Sequence, residues 1–403
     1  MKAKILFIDD QENVLQSLKL SLRSMRSEWD MNFAQSGVEG LAMFKQIWPD
    51  VVITDMRMPN MDGAVVLKDI QKLKPDVGKI ILSGYSDKDT VIKNMQLANE
   101  YLSKPCKTSE LVSAINNTLQ SNTMIENETI KKIVAEIETI PSSPAAYDKL
   151  ITVLAKDDST PEEIGAIISQ DLALSTILMR IVNCAFFNFP TQAQNITHAV
   201  KMLGQQTLLN ITKASHLFEN IGSLENPRMS INMLWGHSLR VAQFAKTIAF
   251  DSGLSESLHN DCFMAAMFHD IGKFILASRM KREFSEIITM VEEEQCPVNV
   301  AEQRILGTTH ADIGAYLLAR WGFSHSQISI IRAHHDESVV TVETPTPQMI
   351  LFTANYMDHE LVHLRQRFRR NSFDFILDSN AILKSRIDSW RNLCHNNIQG
   401  ELQ

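Results

Sequence analysis

The amino-acid sequence predicts two structural classes in one chain: a doubly wound α/β domain over about the first 120 residues and an all-helical remainder. Three observations predict it. Short, largely β-branched runs, Lys4–Ile8, Val51–Thr54, Lys79–Leu82 and Tyr101–Leu102, alternate with helical patterns in the first part, as parallel strands buried on both faces do. Each run is closed by polar residues: Asp9-Asp10, Asp55, Ser83 and Lys104-Pro105. After Pro105 the strand pattern stops, and apolar residues recur only at helical spacing.

The run ends carry chemistry. In a parallel sheet, ligands gather outside the carboxyl ends of the strands. Asp9, Asp10 and Asp55 brought together there would repel one another, and a hard divalent cation with oxygen ligands, Mg2+, neutralises such a set. Asp55 is then the nucleophile toward a phosphoryl donor, with Ser83 and Lys104 to hydrogen-bond and neutralise the arriving group.

In these residues the segment resembles the receiver domain of two-component response regulators. The acid pair, the Asp-Met-Arg-Met-Pro run from Asp55 to Pro59, Gly63, Ser83-Gly84 and Lys104-Pro105 occur in the family's order. The resemblance implies a (βα)5 fold with a five-stranded parallel sheet, and phosphorylation of Asp55 by a cognate histidine kinase. It also implies Mg2+ held by Asp9, Asp10, Asp55 and the backbone carbonyl of Arg57, with Tyr101 as the switch aromatic. A receiver-like fold that serves only for docking is the competing reading.

Length and composition set looser bounds. A chain of 403 residues accommodates two or three domains, and 44% hydrophobic residues suffices for their cores. No apolar stretch reaches the length of a membrane span, and the start lacks the apolar core of a secretory leader, so a cytoplasmic signalling protein is expected. Cys106, Cys184, Cys262, Cys296 and Cys394 are scattered without paired spacing and read as small apolar residues of a reducing compartment. A net charge of -8 argues against a broad nucleic-acid-binding surface. The basic cluster Arg365, Arg367, Arg369 and Arg370 reads as a solvated helix face.

The expected division is 1–121 for the receiver, 122–138 for a helical linker, 139–340 for a helical domain and 341–403 for a helical extension packed on it. Pro141 to Pro144 breaks the helical pattern at the entry to the third segment. Thr160-Pro161-Glu162-Glu163 carries the cap, proline and glutamate of a helix start.

Within the helical part, His237, His269-Asp270, His310 and His334-His335 form a spaced series of imidazole and carboxylate groups that suits a transition metal. Trp235-Gly236-His237 and Phe268-His269-Asp270-Ile271-Gly272-Lys273 resemble the HD superfamily, whose metal activates water for phosphoester hydrolysis. The chain departs from its enzymes in two places. Asn355 stands where a closing aspartate is expected, with Asp358 one turn further on as a substitute, and His334-His335 lacks the Gly- and Tyr-rich loop of HD-GYP phosphodiesterases.

The fuller resemblance, over about residues 138–340, is to the HDOD domain of that superfamily. It is carried by Gln170 to Leu174, Val182 to Ala185, Ala199 to Gly204, and Glu302 to Leu318 followed by Trp321 and His334-His335. It implies a non-catalytic output domain working through other signalling proteins, among them enzymes that turn over cyclic dinucleotides, with homodimer formation open. The short apolar stretches and the acidic net charge speak against membrane and direct nucleic-acid binding. The alternative is a phosphorylation-gated, metal-dependent phosphohydrolase.

Overall fold

The computed structural model describes residues 2–84, 90–91, 94–137, 144–156, 158–187, 189, 191, 193–214, 231–341, 343–362 and 380–400. The Pro141–Ser143 part of the expected helix break and the arginines at 365–370 lie outside them. The chain forms two compact units, Met1–Ile221 with Ala319–Phe323, and Gly222–Leu318 with Ser324–Gln403.

In the first unit, β1 (Ala3–Ile8), β2 (Trp29–Ala34), β3 (Val51–Asp55), β4 (Gly78–Gly84) and β5 (Glu100–Lys104) form an all-parallel sheet in the order β2-β1-β3-β4-β5. The three inner strands are nearly continuous in Val, Ile and Leu because helices cover both faces. Strand β2, Trp-Asp-Met-Asn-Phe-Ala, is the edge strand absent from the apolar runs, since only its two ends are buried and its middle is mixed in polarity. Helices α1 (Glu12–Ser21), α2 (Gly37–Ile47), α3 (Gly63–Leu73) and α4 (Thr108–Ser121) surround the sheet. Leu111, Ala114 and Ile115 of α4 join Ile5, Phe7, Ile53 and Ile80 in one core.

Helix α5 (Glu128–Ala135) follows, and then α6 (Pro144–Leu154), α7 (Pro161–Ser169), α8 (Leu172–Asn183), a 3-10 turn (Ala185–Phe187), α9 (Ile196–Leu203) and α10 (Gln205–Ala214). The capping motif read at Thr160 is formed: its hydroxyl accepts from Glu163 N at 3.2 Å, and the Glu163 carboxylate accepts from Thr160 N at 3.0 Å. Asp171 caps α8 in the same way, accepting from Leu174 N at 2.9 Å. Every residue of α8 from Leu172 to Val182 is buried, so this helix is a core element rather than an amphipathic cover.

The second unit is helical: α11 (Ile231–Asp251), α12 (Glu256–Phe268), α13 (Ile271–Arg279), α14 (Lys281–Glu294), α15 (Val298–Leu306), α16 (His310–Arg320, its last residues belonging to the first unit), α17 (His325–Arg332), α18 (Pro347–Leu361) and α19 (Ala381–Gly400). Helices α13 and α16 meet backbone to backbone at two glycines. A Cβ on Gly272 would lie 1.9 Å from the His310 carbonyl oxygen and 3.0 Å from Gly314 N. Neither atom is a flexible side-chain end, so an added methyl must push a helix away. Gly272→Ala is expected to destabilise this unit by about 1–3 kcal/mol in urea unfolding followed by circular dichroism.

Candidate functional site

Two clusters of chemically active side chains emerge, one in each unit. The first lies at the carboxyl edge of the sheet. Asp9 and Asp10 follow β1, Asp55 ends β3, Ser83 sits near the end of β4 and Lys104 ends β5. Parallel register brings these ends level: Ile8 pairs with Thr54, Asp55 with Leu82, Ser83 with Ser103 and Gly84 with Lys104. Lys104 Nζ bridges two carboxylates, 2.7 Å from Asp9 Oδ2 and 2.5 Å from Asp55 Oδ1. Asp9 also accepts from Gln11 N at 3.0 Å, which fixes its carboxylate in the pocket.

The electrostatics of this pocket are opposed. Burial pushes the Asp55 pKa up, and the Lys104 hydrogen bond and charge only partly reverse that. Burial works against the Lys104 ammonium too, but its bonds to Asp55 and Asp9 outweigh it and raise its pKa. Asp10 Oδ1 is buried with no hydrogen-bond partner. A carboxylate oxygen left so beside two others is the donor chemistry of a hard cation. Arg57 is exposed on the turn directly after β3, whose first residue, Met56, donates to Leu82 O at 2.9 Å. Gly63 faces the same loop, and a Cβ there would stand 2.1 Å from the Asp55 carbonyl oxygen. Tyr101 is buried on β5, with its hydroxyl donating to the Asn94 carbonyl.

The second cluster unites all six residues of the His-Asp series. His237 comes from α11, His269 and Asp270 from the junction of α12 and α13, His310 from the start of α16, and His334 and His335 from just after α17. They form two overlapping groups, His237-His269-Asp270 and Asp270-His310-His334-His335, in each of which one ligand atom per residue lies within 4.8 Å of all the others. Asp270 is common to both. Its Oδ2 is 3.6 Å from His237 Nε2 and 3.5 Å from His269 Nε2, and its Oδ1 is 3.3 Å from His310 Nε2 and 3.6 Å from His334 Nε2.

Each inner histidine is anchored by its outer nitrogen. His237 Nδ1 bonds Asp358 Oδ2 at 2.7 Å, His269 Nδ1 bonds Ala266 O at 2.7 Å, His334 Nδ1 bonds Ile331 O at 2.6 Å and His310 Nδ1 bonds Glu302 Oε2 at 2.6 Å. A carbonyl or carboxylate on Nδ1 selects the tautomer with its proton there, turning the Nε2 lone pair inward. His310 Nε2 then stands 3.2 Å from His334 Nε2 and 2.9 Å from His335 Nε2. His335 can donate its own Nε2–H to His310, but between His310 and His334, both carrying the proton on Nδ1, two lone pairs at that distance require positive charge between them. The charge is a proton on His310, whose pKa is raised by Glu302 against the effect of burial, or a metal cation. Separations of 3.2–3.6 Å match the roughly 3.3 Å edge of a tetrahedron about a metal with bonds of roughly 2.0–2.1 Å.

Burial lowers the His269 pKa well below its usual value and that of His334 to about 4, which keeps both neutral. For Asp270, burial favours the protonated form, but positive charge from Lys273, 2.7 Å away, and from His310 overcomes it and holds the carboxylate ionised. His237 Nε2, His269 Nε2 and Asp270 Oδ1 are buried without hydrogen-bond partners.

Asp358 does not take the place of the closing aspartate: it lies behind His237, held also by Arg240 Nε at 2.6 Å. Asn355 is buried with its Oδ1 unpartnered. Sequence reading did not find Arg240, the anchoring role of Glu302, or His359, a half-buried histidine whose ring centroid is 4.8 Å from that of His237. Their signal is spatial. Arg240 and Asp358 are 118 residues apart, and a single glutamate on an amphipathic helix carries no mark of its partner.

A parallel sheet that gathers an acid pair, an aspartate and a lysine at its carboxyl edge defines the receiver class of phosphoryl-accepting domains. Residues 5–116 match the response regulator receiver domain, and residues 140–337 match the HDOD domain. The chain is therefore a two-component response regulator that joins a receiver domain to an HDOD domain. It is 28% identical over 218 residues to an uncharacterized protein of Treponema pallidum (strain Nichols), spanning 53% of this chain and 42% of that protein. It is 34% identical over 127 residues to the transcriptional regulatory protein GlrR of Escherichia coli (strain K12), spanning 31% of this chain and 28% of GlrR. A solved response regulator receiver domain protein from Clostridium thermocellum is 41% identical, covering 29% of this chain and 94% of that one at a TM-score of 0.28. The chain thus spans less than half the length of these curated relatives. No helix among the described residues is long and apolar enough to cross a membrane.

Glu302 and His310 are both buried, and Glu302 also accepts from His310 N at 2.9 Å. Glu302→Ala is expected to cost about 3–5 kcal/mol, as for breaking other buried ion pairs, and Glu302→Gln less, measured by urea denaturation.

Proposed function

We propose that Asp55 accepts a phosphoryl group from a cognate histidine kinase and that the HDOD domain is the output, acting by binding other signalling proteins. The observation that carries this reading is the Lys104 bridge between Asp9 and Asp55, beside the unpartnered Asp10 oxygen. Asp9, Asp10, Asp55 and the Arg57 carbonyl would hold Mg2+, which when bound supplies positive charge against the carboxylates and the phosphoryl oxygens. An Asp55 carboxylate oxygen attacks phosphorus, the new P–O bond forms as the P–N bond to the kinase histidine breaks, and the imidazole leaves with the electron pair. Lys104, already on Asp55, neutralises the transferred group, and Ser83 donates to it.

A metal-dependent phosphohydrolase is the second reading, and one observation favours it: four histidine Nε2 atoms turned toward the two oxygens of Asp270. His237, His269, Asp270, His310, His334 and His335 fit a transition metal by donor type and spacing. A metal held there would supply Lewis-acid activation of water at a phosphoester. Asn355 brings no charge to that set, which favours binding over hydrolysis as the output.

Two measurements test these readings. Acetyl phosphate with Mg2+ is expected to add the mass of one phosphoryl group to the wild type and none to Asp55→Asn; an equal gain in both removes Asp55 as the acceptor. After purification without added metal, elemental analysis is expected to find a transition metal that His269→Ala and Asp270→Ala lose. Bis-p-nitrophenyl phosphate separates the outputs: turnover that disappears with the metal establishes the hydrolase, and metal without turnover leaves the binding domain.

A further inference from the structure

The turn at residues 94–98, which leads into β5, is held from two directions. From the receiver side, the Tyr101 hydroxyl donates to the Asn94 carbonyl. From helix α8, Arg180 Nη2 donates to Met95 O at 2.7 Å and to Ala98 O at 3.3 Å. The Arg180 guanidinium lies over the Trp321 ring, 5.2 Å from its centroid. Met95, Ala98, Tyr101, Arg180 and Trp321 are all buried, and the 3-10 turn Ala185–Phe187 packs on β5 beside them. A charged guanidinium withdrawn from water depends on the acceptors placed around it, and its planar fork tolerates little displacement of them.

Asn99 extends the same footing. Its Oδ1 accepts from Lys79 N at 2.7 Å at the base of β4, and its Nδ2 donates to Arg320 O at 3.3 Å. Arg320 in turn donates through Nη1 to Asp76 O at 3.2 Å. These groups all belong to the compact unit that contains the receiver.

We propose that Arg180 is the coupling residue through which the Asp55 site reaches the first helices of the HDOD domain. Strand β5 carries Lys104 at one end and Tyr101 three residues before it, while Ser83 pairs with Ser103 between them. A phosphoryl group on Asp55 draws Lys104 and the Ser83 hydroxyl toward itself, and the resulting shift of β5 passes through Tyr101 to the turn that supplies the Arg180 acceptors. The new geometry weakens the Arg180 clamp and frees the α8 region. By reciprocity, the clamp lowers the affinity of the Asp55 site for a phosphoryl group. The inference rests on Asp55 as the acceptor, and the clamp itself is tested separately from that step.

Amide hydrogen exchange of the full chain, with and without Mg2+ and beryllofluoride, makes the test in wild type, Arg180→Ala and Arg180→Lys. In wild type, beryllofluoride is expected to protect residues 55–63 and to speed exchange over 172–187 by at least roughly fivefold, the lower end of typical allosteric couplings. In Arg180→Ala, exchange over 94–98 and 172–187 is expected to be fast already and insensitive to beryllofluoride, and beryllofluoride is expected to bind roughly fivefold more tightly. Arg180→Lys, which keeps the charge but loses the fork, is expected to fall between them. Protection at 55–63 without change at 172–187 in wild type, or an unaltered response in Arg180→Ala, overturns the coupling. Absence of protection at 55–63 in wild type refutes the phosphoryl-acceptor reading instead. In that case unchanged exchange over 94–98 in Arg180→Ala overturns the clamp as well.

Discussion

A carboxylate removed from water must be met by positive charge, and both chemical centres of this protein are arranged around that requirement. In the receiver, Lys104 spans Asp9 and Asp55 at 2.7 and 2.5 Å. In the helical unit, Lys273 and His310 hold the buried Asp270 ionised. The compensation is incomplete in each case, since Asp10 Oδ1 and Asp270 Oδ1 are left without hydrogen-bond partners. Shortfalls of this kind have the donor chemistry that a cation satisfies.

The two centres reach the same end by different architecture. A parallel sheet places its polar residues at strand ends because the interior of each strand is committed to burial on both faces, so the ligands are collected by register. Helices collect ligands by crossing. The Gly272–Gly314 approach lets α13 and α16 come close enough for Asp270 and His310 to meet, and the Nδ1 anchors on Asp358, Ala266, Glu302 and Ile331 then turn the rings inward. Outer hydrogen bonds of this sort fix tautomer and ring direction together.

The compact units do not follow the family boundaries. The HDOD match spans 140–337, yet helices α6 to α10 and residues Ala319–Phe323 form one compact body with the receiver. The fully buried α8 accounts for this: a helix buried all round needs neighbours on every side. The receiver turn at 94–98 supplies acceptors for its one arginine.

The fold class, the strand-end aspartates, Ser83 and Lys104, and the Thr160 cap were legible in the sequence, because each depends on local pattern: period, β-branching and short-range capping. The edge strand β2 was not, since one covered side and mixed polarity erase the apolar run. The six members of the His-Asp series could be named from residue type alone. Their convergence on Asp270, the placement of Asp358 behind His237, and the docking of Arg180 on a turn 82–85 residues earlier were decided only by tertiary structure. Hydrogen bonds of that range are set by how helices cross and by which backbone carbonyls are left facing them, and neither quantity is written in the spacing of the residues that take part.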